Sequence, residues 1–480
     1  MGATPAIEVQ LPTCAARLQG TFDAQRRASR RDPGPAFAVR AERLRALERL
    51  LRENAEAFAE AIREDFGNRS LHETRLLEIF PALEQIRYAR SHLRPWMREE
   101  RRAVSRWFLP GRASVVRQPL GVVGIIVPWN YPLYLALAPL AAALAAGNRA
   151  MVKLSELTPR TAARFAQAAA RIFSPEEVAV IEGDAAVGEA FSRLAFDHLL
   201  FTGSTRVGHA VMRAAAGNLT PVTLELGGKS PAILGAGFPV ARAASRIMLG
   251  KCLNAGQTCI APDYVLLPRG SEDEFVRAAR EAVGRMYPTL ADTPDYTSIV
   301  SRGHFDRLSG ALEEARGRGA RIVPLSDSLP APDPGSRRIP PCVVLDAPQD
   351  CALMREEIFG PILPLVPCDG LDEAIAYVGA RARPLALYLF ENDASCIDRV
   401  LRETVAGGVT VNDTLLHIAQ DDLPFGGVGA SGMGAYHGRE GFEAFSHRKA
   451  VFRQARFNAA GLLAPPFGRR FERLLRILLR

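Results

Sequence analysis

Cys259 closes the run GKCLNAGQTC (250–259), directly behind Gly256, Gln257 and Thr258. A cysteine that follows a glycine-bearing turn can expose its sulfur and keep its backbone N–H free. A nucleophile that must also stabilise the oxyanion it creates needs both. Glu225, in LELGGKSP (224–231), stands at the end of an apolar run just before two glycines. A carboxylate there is either paired structurally or desolvated, with its pKa raised toward general-base range. Asn130 is fixed between two prolines in PWNYP (128–132), together with Trp129. A rigidly held amide can donate to an oxyanion, although turn chemistry alone would also explain an Asn. FTGSTRVG (201–208) offers a strand, a turn with Gly203 and Ser204, and a helix start whose N–H groups can hold an anion. Its spacing departs from G-x-G-x-x-G, because Thr205 replaces the middle glycine and only Gly208 follows. KLSE (153–156) ends a strand with Lys153 and Glu156, which can hydrogen-bond a ribose or form a plain surface ion pair.

These residues must be carried by a parallel sheet. From residue 121 short apolar runs alternate with helical ones: strands at 121–127, 149–154, 178–183, 198–203 and 220–226, and helices at 132–146, 158–173, 185–194 and 205–216. That alternation predicts a doubly wound sheet, which binds ligands at the carboxyl ends of its strands. A second α/β series has strands near 231–234, 263–267, 341–345, 362–366, 385–390 and 409–411, with helices near 239–254, 271–285, 302–318, 370–380 and 393–402. The Pro-, Ser- and Asp-rich segment 324–340 reads as a surface loop. Ahead of both lie amphipathic helices over 36–66 and 71–94, the second with Leu76, Leu77, Phe80, Leu83 and Ile86 on its apolar face. Residues 103–118 read as a β-hairpin about Pro110-Gly111, suited to an oligomer contact. The tail, 465–480, is a short amphipathic helix with Phe471, Leu474, Leu475 and Leu478 on one face. Packing on the body is its simplest role; a lid over an apolar pocket and a membrane-surface contact stay open.

Composition narrows the class. The 480 residues carry a net charge of +8, spread along the chain and almost all arginine, without the basic–aromatic interleaving of a nucleic-acid surface. Seven cysteines lack C-x-x-C spacing, which argues against a zinc ribbon or disulfide framework and for a reducing compartment. With no secretory signal visible, the expectation is cytoplasmic. Residues 118–148 hold no charge and are long enough to suggest a membrane span. Pro128, Asn130, Pro132 and Pro139 interrupt them, so a buried strand, a turn and a core helix fit better.

Taken together, the motifs resemble the NAD(P)-dependent aldehyde dehydrogenase superfamily over nearly the whole chain. LELGGKSP and NAGQTC, separated by thirty-four residues from Glu225 to Cys259, look like its glutamate and cysteine motifs. PWNYP, KLSE, FTGSTRVG, EEIFGP (356–361) and PFGGVGASGMG (424–434) match further family segments in order. APDYV (261–265) and GMGAYHGREGFEAFSH (432–447) look most like the class 3 branch, the bacterial coniferyl aldehyde dehydrogenases among it. Cys252, seven before the nucleophile, and Leu154 depart from common family residues, and the first implies altered packing near the pocket.

The resemblance implies an α/β fold of two doubly wound lobes. These are a Rossmann-like cofactor domain (1–102 and 119–228) and a catalytic domain (229–412). A β oligomerisation and bridging element (103–118 and 413–455) and the tail (456–480) complete it. It also implies Cys259 as nucleophile, Asn130 and the Cys259 N–H as oxyanion donors, and Glu225 as the base for thioester hydrolysis. Electropositive neighbours are expected to ionise the thiol. For the cofactor it implies Trp129, Lys153, Glu156, Gly203, Ser204, Gly208, Glu357 and Phe359, with NAD preferred and NADP allowed. The implied partners are a small apolar or aromatic aldehyde and a second copy of the chain. A CoA-acylating relative and a membrane-associated fatty aldehyde enzyme are the alternatives.

Overall fold

The uncharged run 118–148 folds as a strand, Val122–Ile126, a turn, and the helix Tyr134–Ala146, whose thirteen residues are all buried. Leucine and alanine on every side make this a core helix. Burying Leu135, Leu137, Leu140 and Leu144 contributes about 1.5–3 kcal/mol each. In this computed structural model, which describes residues 10–458 and 460–479, no helix among the described residues is long and apolar enough to cross a membrane.

The first sheet is parallel in the order Val222–Glu225, His198–Thr202, Val122–Ile126, Arg149–Lys153, Val178–Ile181, with Gly432–Met433 added antiparallel at one edge. The first strand in the chain is central and the next two run outward on one side, the following two on the other. The order therefore reverses between Val122–Ile126 and His198–Thr202, which is where such sheets open a ligand crevice. PWNYP and FTGSTRVG follow those two strands. The helix Thr205–Ala216 lies close on the sheet: a Cβ on Gly208 would stand 2.7 Å from Leu226 Cδ2.

The second sheet runs Arg321–Pro324, Cys342–Leu345, Ile362–Cys368, Tyr264–Pro268, Pro231–Leu234, Ala386–Phe390, Gly408–Val411, and only the first pairs antiparallel. That edge strand overlaps the start of the segment expected to be loop. Its four residues, RIVP, pair with Cys342–Leu345.

Three further elements depart from expectation. The helix Gln10–Arg31 was not anticipated, because its apolar residues are sparse; Leu18, Phe22 and Ala28 are nevertheless buried, and Gln25 donates to the carbonyls of Ala150 and Pro175. The helix over 71–96 contains a π turn, Arg75–Ile79. The wider turn rotates the apolar face, so Leu76 and Phe80 are 59% and 58% exposed while Glu78 points inward. The hairpin has its first arm at Glu100–Arg102, not over 103–109. It pairs with Arg112–Pro119, which pairs in turn with Ser446–Arg453. Residues 103–111 form the loop, and Trp107, Phe108 and Leu109 are exposed on it. In the tail helix, Arg469–Leu478, no residue is fully buried, while Phe471, Leu474 and Leu478 of its apolar face are half-buried and Leu475 is exposed.

Candidate active site

The nucleophile loop is built from an unusual backbone. After the helix Val240–Cys252, Asn254, Ala255 and Gly256 adopt φ of 51°, 50° and 73°. Left-handed conformation at two non-glycine residues is strained and persists only where surroundings over-determine it. Gln257 does so: its Nε2 donates to Asn254 O (3.0 Å) and Ser298 O (3.1 Å), and its Oε1 accepts from Val300 N (3.0 Å). Gly256 is required by contact as well as by φ, since a Cβ there would lie 2.3 Å from Gly360 O.

Asn130 reaches this loop. Its buried side-chain Nδ2 donates to Gln257 O at 3.3 Å, which leaves the second amide hydrogen for another acceptor. Its backbone carbonyl accepts from Arg69 Nη1 and Asn254 Nδ2, both at 3.0 Å. Beside it the Tyr131 hydroxyl and Thr258 Oγ1 are 2.7 Å apart. Glu225 ends its strand with both carboxylate oxygens buried and without hydrogen-bond partners. Desolvation pushes its pKa well above the carboxylate range. A buried carboxylate left unpaired is costly for a fold and apt for a proton acceptor.

Cys259 is partly exposed, and its thiol is pushed up to about 12. Burial is the largest cause, the charges of Glu357 and Glu225 come next, and the N–H groups of Cys259 and Ile260 oppose them. The expected electropositive neighbours are therefore replaced by two carboxylates. Burial and these two carboxylates disfavour the thiolate, so a proton must leave before the sulfur can attack. Cys252, by contrast, is a buried core side chain, and its thiol is raised to about 12 by burial.

Glu357 is held by a second set of ties. Lys229, from the glutamate motif, pairs with Asp263 and donates to the carbonyls of Leu353 (2.7 Å) and Glu356 (3.0 Å); Asp263 Oδ1 accepts from Ile358 N at 2.9 Å. Burial and the Asp263 charge raise Glu357 to about 8, and its Oε1 has no partner. The carboxylate lies over Gly227, where a Cβ would meet Oε2 at 2.1 Å. Phe359, at φ 52°, meets Trp129 edge to face at 5.4 Å, and Trp129 meets His304 at 4.9 Å. Lys153 Nζ and Glu156 Oε2 form an ion pair at 3.1 Å at the end of a neighbouring strand, Lys153 buried and Glu156 exposed. Exposed Ser204 caps the helix Thr205–Ala216, accepting from Val207 N at 3.4 Å. The orphaned Glu357 oxygen, the helix N-terminus at the strand crossover and the Lys153–Glu156 pair together fit a dinucleotide lying across the crevice.

The profile of the aldehyde dehydrogenase family matches residues 19–451. The chain belongs to the aldehyde dehydrogenase family. It is 53% identical to a probable coniferyl aldehyde dehydrogenase of Pseudomonas aeruginosa, the match covering 96% of this chain and 95% of the relative. It is 40% identical to the aldehyde dehydrogenase family 3 member A2 of Rattus norvegicus, over 90% of this chain and 86% of the relative. Among solved structures, a substrate-bound Staphylococcus aureus AldH superposes with a TM-score of 0.91 at 36% identity, covering 96% of this chain and 99% of the other. As an aldehyde dehydrogenase, the enzyme acts on an aldehyde and uses NAD(P).

Sequence reasoning missed the residues that hold this candidate site in shape. Arg69, Glu73 and Glu78 are buried charges beneath the Asn130 turn, and Lys229 and Asp263 tie down the Glu357 loop. Only Lys229 and Asp263 carried a signal, as charged residues inside the quoted motifs.

Proposed function

We propose that this aldehyde dehydrogenase oxidises aromatic or other apolar aldehydes to carboxylic acids through a thioester on Cys259. The observation that carries the reading is the pairing of Cys259 with an unpartnered, desolvated Glu225 and the Asn130 amide. The Cys259 sulfur bonds to the carbonyl carbon once its proton has left. Glu225 and Glu357 are the groups whose charges face it. The free hydrogen of the Asn130 amide and the Cys259 N–H receive the developing oxyanion. Bound NAD(P) would supply the hydride acceptor. Glu225 then takes a proton from the water that cleaves the thioester. Lys153, Glu156 and Ser204 would hold the adenosine and pyrophosphate end, and Glu357, Phe359 and Trp129 the nicotinamide end.

Support for an aromatic or apolar aldehyde comes from the likeness to a probable coniferyl aldehyde dehydrogenase. Glu156 can accept from a free ribose 2′-OH and repels a 2′-phosphate, so NAD is the preferred form, with Lys153 moderating the repulsion. Initial rates with NAD and NADP over aldehydes of increasing length test this. NAD is expected to give the higher kcat/KM, Glu156→Gln to narrow the gap, and cinnamaldehyde-type substrates to exceed acetaldehyde. Equal rates for acetaldehyde would remove the apolar reading. The same panel on a chain ending at Pro465 tests the tail, whose arginine-rich helix leaves Leu475, Ile477 and Leu479 exposed. A lid requires long and short aldehydes to respond differently, and a membrane contact requires truncation to abolish binding to anionic vesicles.

The exposed apolar group of Trp107, Phe108 and Leu109 on the loop and Phe452 on the strand Ser446–Arg453 supports a homodimer through that element. Light scattering is expected to give twice the chain mass, and Phe108→Ser with Phe452→Ser to shift it toward the monomer. A monomeric wild type at micromolar concentration would exclude it.

A further inference from the structure

Arg69 is wholly buried, and its Nη1 donates to Glu78 Oε1 at 2.8 Å and to the Asn130 carbonyl at 3.0 Å. Its guanidinium carbon lies 4.8 Å from the centre of the Tyr131 ring and 5.2 Å from that of Phe66. Glu78 is turned inward by the π turn, and its Oε2 accepts from the N–H groups of Leu133 (2.7 Å) and Tyr134 (3.1 Å). The pair thus grips PWNYP and the start of the following helix from both sides, the arginine on a carbonyl and the glutamate on two amides. Glu73, a helical turn earlier, accepts from Asn254 N and from the Thr297 hydroxyl, which links the same cluster to the nucleophile loop.

We propose that Arg69 is a positioning residue of this aldehyde dehydrogenase: with Glu78 it fixes the Asn130 turn so that the side-chain amide stays aimed at the site of oxyanion formation. The proposal rests on the reading of Asn130 as oxyanion donor. A merely structural role accounts poorly for the chemistry chosen. Apolar side chains fill buried space at least as well as an ion pair does. Arg69 moreover leaves Nε and Nη2 without a protein hydrogen-bond partner, which carries a desolvation cost. What the guanidinium supplies, and an apolar residue cannot, is a directional hold on a single carbonyl beside a single carboxylate. Two buried rings, Phe66 and Tyr131, keep its plane from turning. Misplacement by about 1 Å at a catalytic donor can cost on the order of 100-fold in rate, so such a hold has a use even though no atom of Arg69 touches substrate.

The test is a double-mutant cycle read in the pre-steady-state burst of NAD(P)H, with wild type, Asn130→Ala, Arg69→Met and the double variant. NAD(P) affinity and melting temperature are measured alongside. Asn130→Ala is expected to slow the burst by about 100-fold. Arg69→Met is expected to slow it by about 10-fold or more, with NAD(P) affinity unchanged. The double variant should be no slower than Asn130→Ala alone, because Arg69 acts through that amide. Arg69→Lys, which keeps the charge and one donor, runs in the same cycle; it should recover part of the burst, and it carries the test if the methionine variant does not fold. An Arg69 effect that multiplies fully on the Asn130→Ala background would overturn the positioning role alone. A wild-type burst in Asn130→Ala would instead overturn the oxyanion reading beneath it.

Discussion

Cys259→Ala is expected to produce no NAD(P)H above background with any aldehyde, a loss on the order of 10⁶-fold, as when a covalent nucleophile is removed elsewhere. The folded state should hardly notice, because Cys259 is only partly buried and alanine fills most of its space. The state of this sulfur before attack makes a second, independent expectation. Burial and the charges of Glu357 and Glu225 hold the thiol near 12, so at neutral pH the thiolate is a small minority. Iodoacetamide alkylation of Cys259, measured against Cys259→Ala to subtract the other cysteines, should therefore rise about tenfold per pH unit between 7 and 9 in the absence of cofactor. A rate that is flat over that range would mean an already ionised sulfur and an electropositive contact absent from this structure. Full turnover by Cys259→Ala would remove covalent catalysis altogether.

That neutral thiol was not legible in the sequence, although the thiol itself was. Cys259, Glu225 and Asn130 each lie in a short segment punctuated by glycine or proline, so residue type and turn chemistry meet within a few positions. The charges that act on the sulfur come from Glu225 and Glu357, which sit in other motifs and reach it only through the facing of two sheets. The parallel order of both sheets could be anticipated from alternating apolar runs and helices. The antiparallel edge strand Arg321–Pro324 could not, since its two β-branched residues run directly into a Pro-, Ser- and Asp-rich stretch that masks so short a signal. Glu78 illustrates the same limit on a helix. A regular 3.6-residue period turns Leu76 and Phe80 inward, whereas the π turn at Arg75–Ile79 turns Glu78 inward instead. Periodicity finds the helix but cannot find the one turn that departs from it, and that turn carries the carboxylate under the Asn130 loop.

Glu225→Gln is expected to release about one NAD(P)H per active site and then slow, with steady turnover down by about 10²–10⁴-fold. Hydride leaves before water is needed, so a side chain of the same shape that cannot accept a proton stalls the enzyme at the thioester. Both Glu225 oxygens are buried and unpartnered, so the amide meets the same unmet desolvation as the acid and the fold should tolerate it. The pH dependence has a definite sign. Burial raises Glu225 well above the carboxylate range, so the ionised form needed for hydrolysis is lost as pH falls through that raised value. The acid limb of kcat should therefore lie above the range of an ordinary carboxylate, and it should vanish in Glu225→Gln. Stability moves the opposite way: the raised pKa favours the folded state at low pH, and that contribution fades as pH rises toward the folded value. The glutamine variant should lack this fading component in its melting temperature. Wild-type-like steady turnover from Glu225→Gln would overturn the role of Glu225 in hydrolysis. Loss of the burst as well would move Glu225 upstream, to the removal of the Cys259 proton. If an added thiol such as CoA restores turnover to the stalled variant, the thioester is open to other nucleophiles. The carboxylate at 225 is then what makes water the acceptor, and the difference between hydrolysing and acyl-transferring chemistry in this site rests on one buried, unpaired side chain.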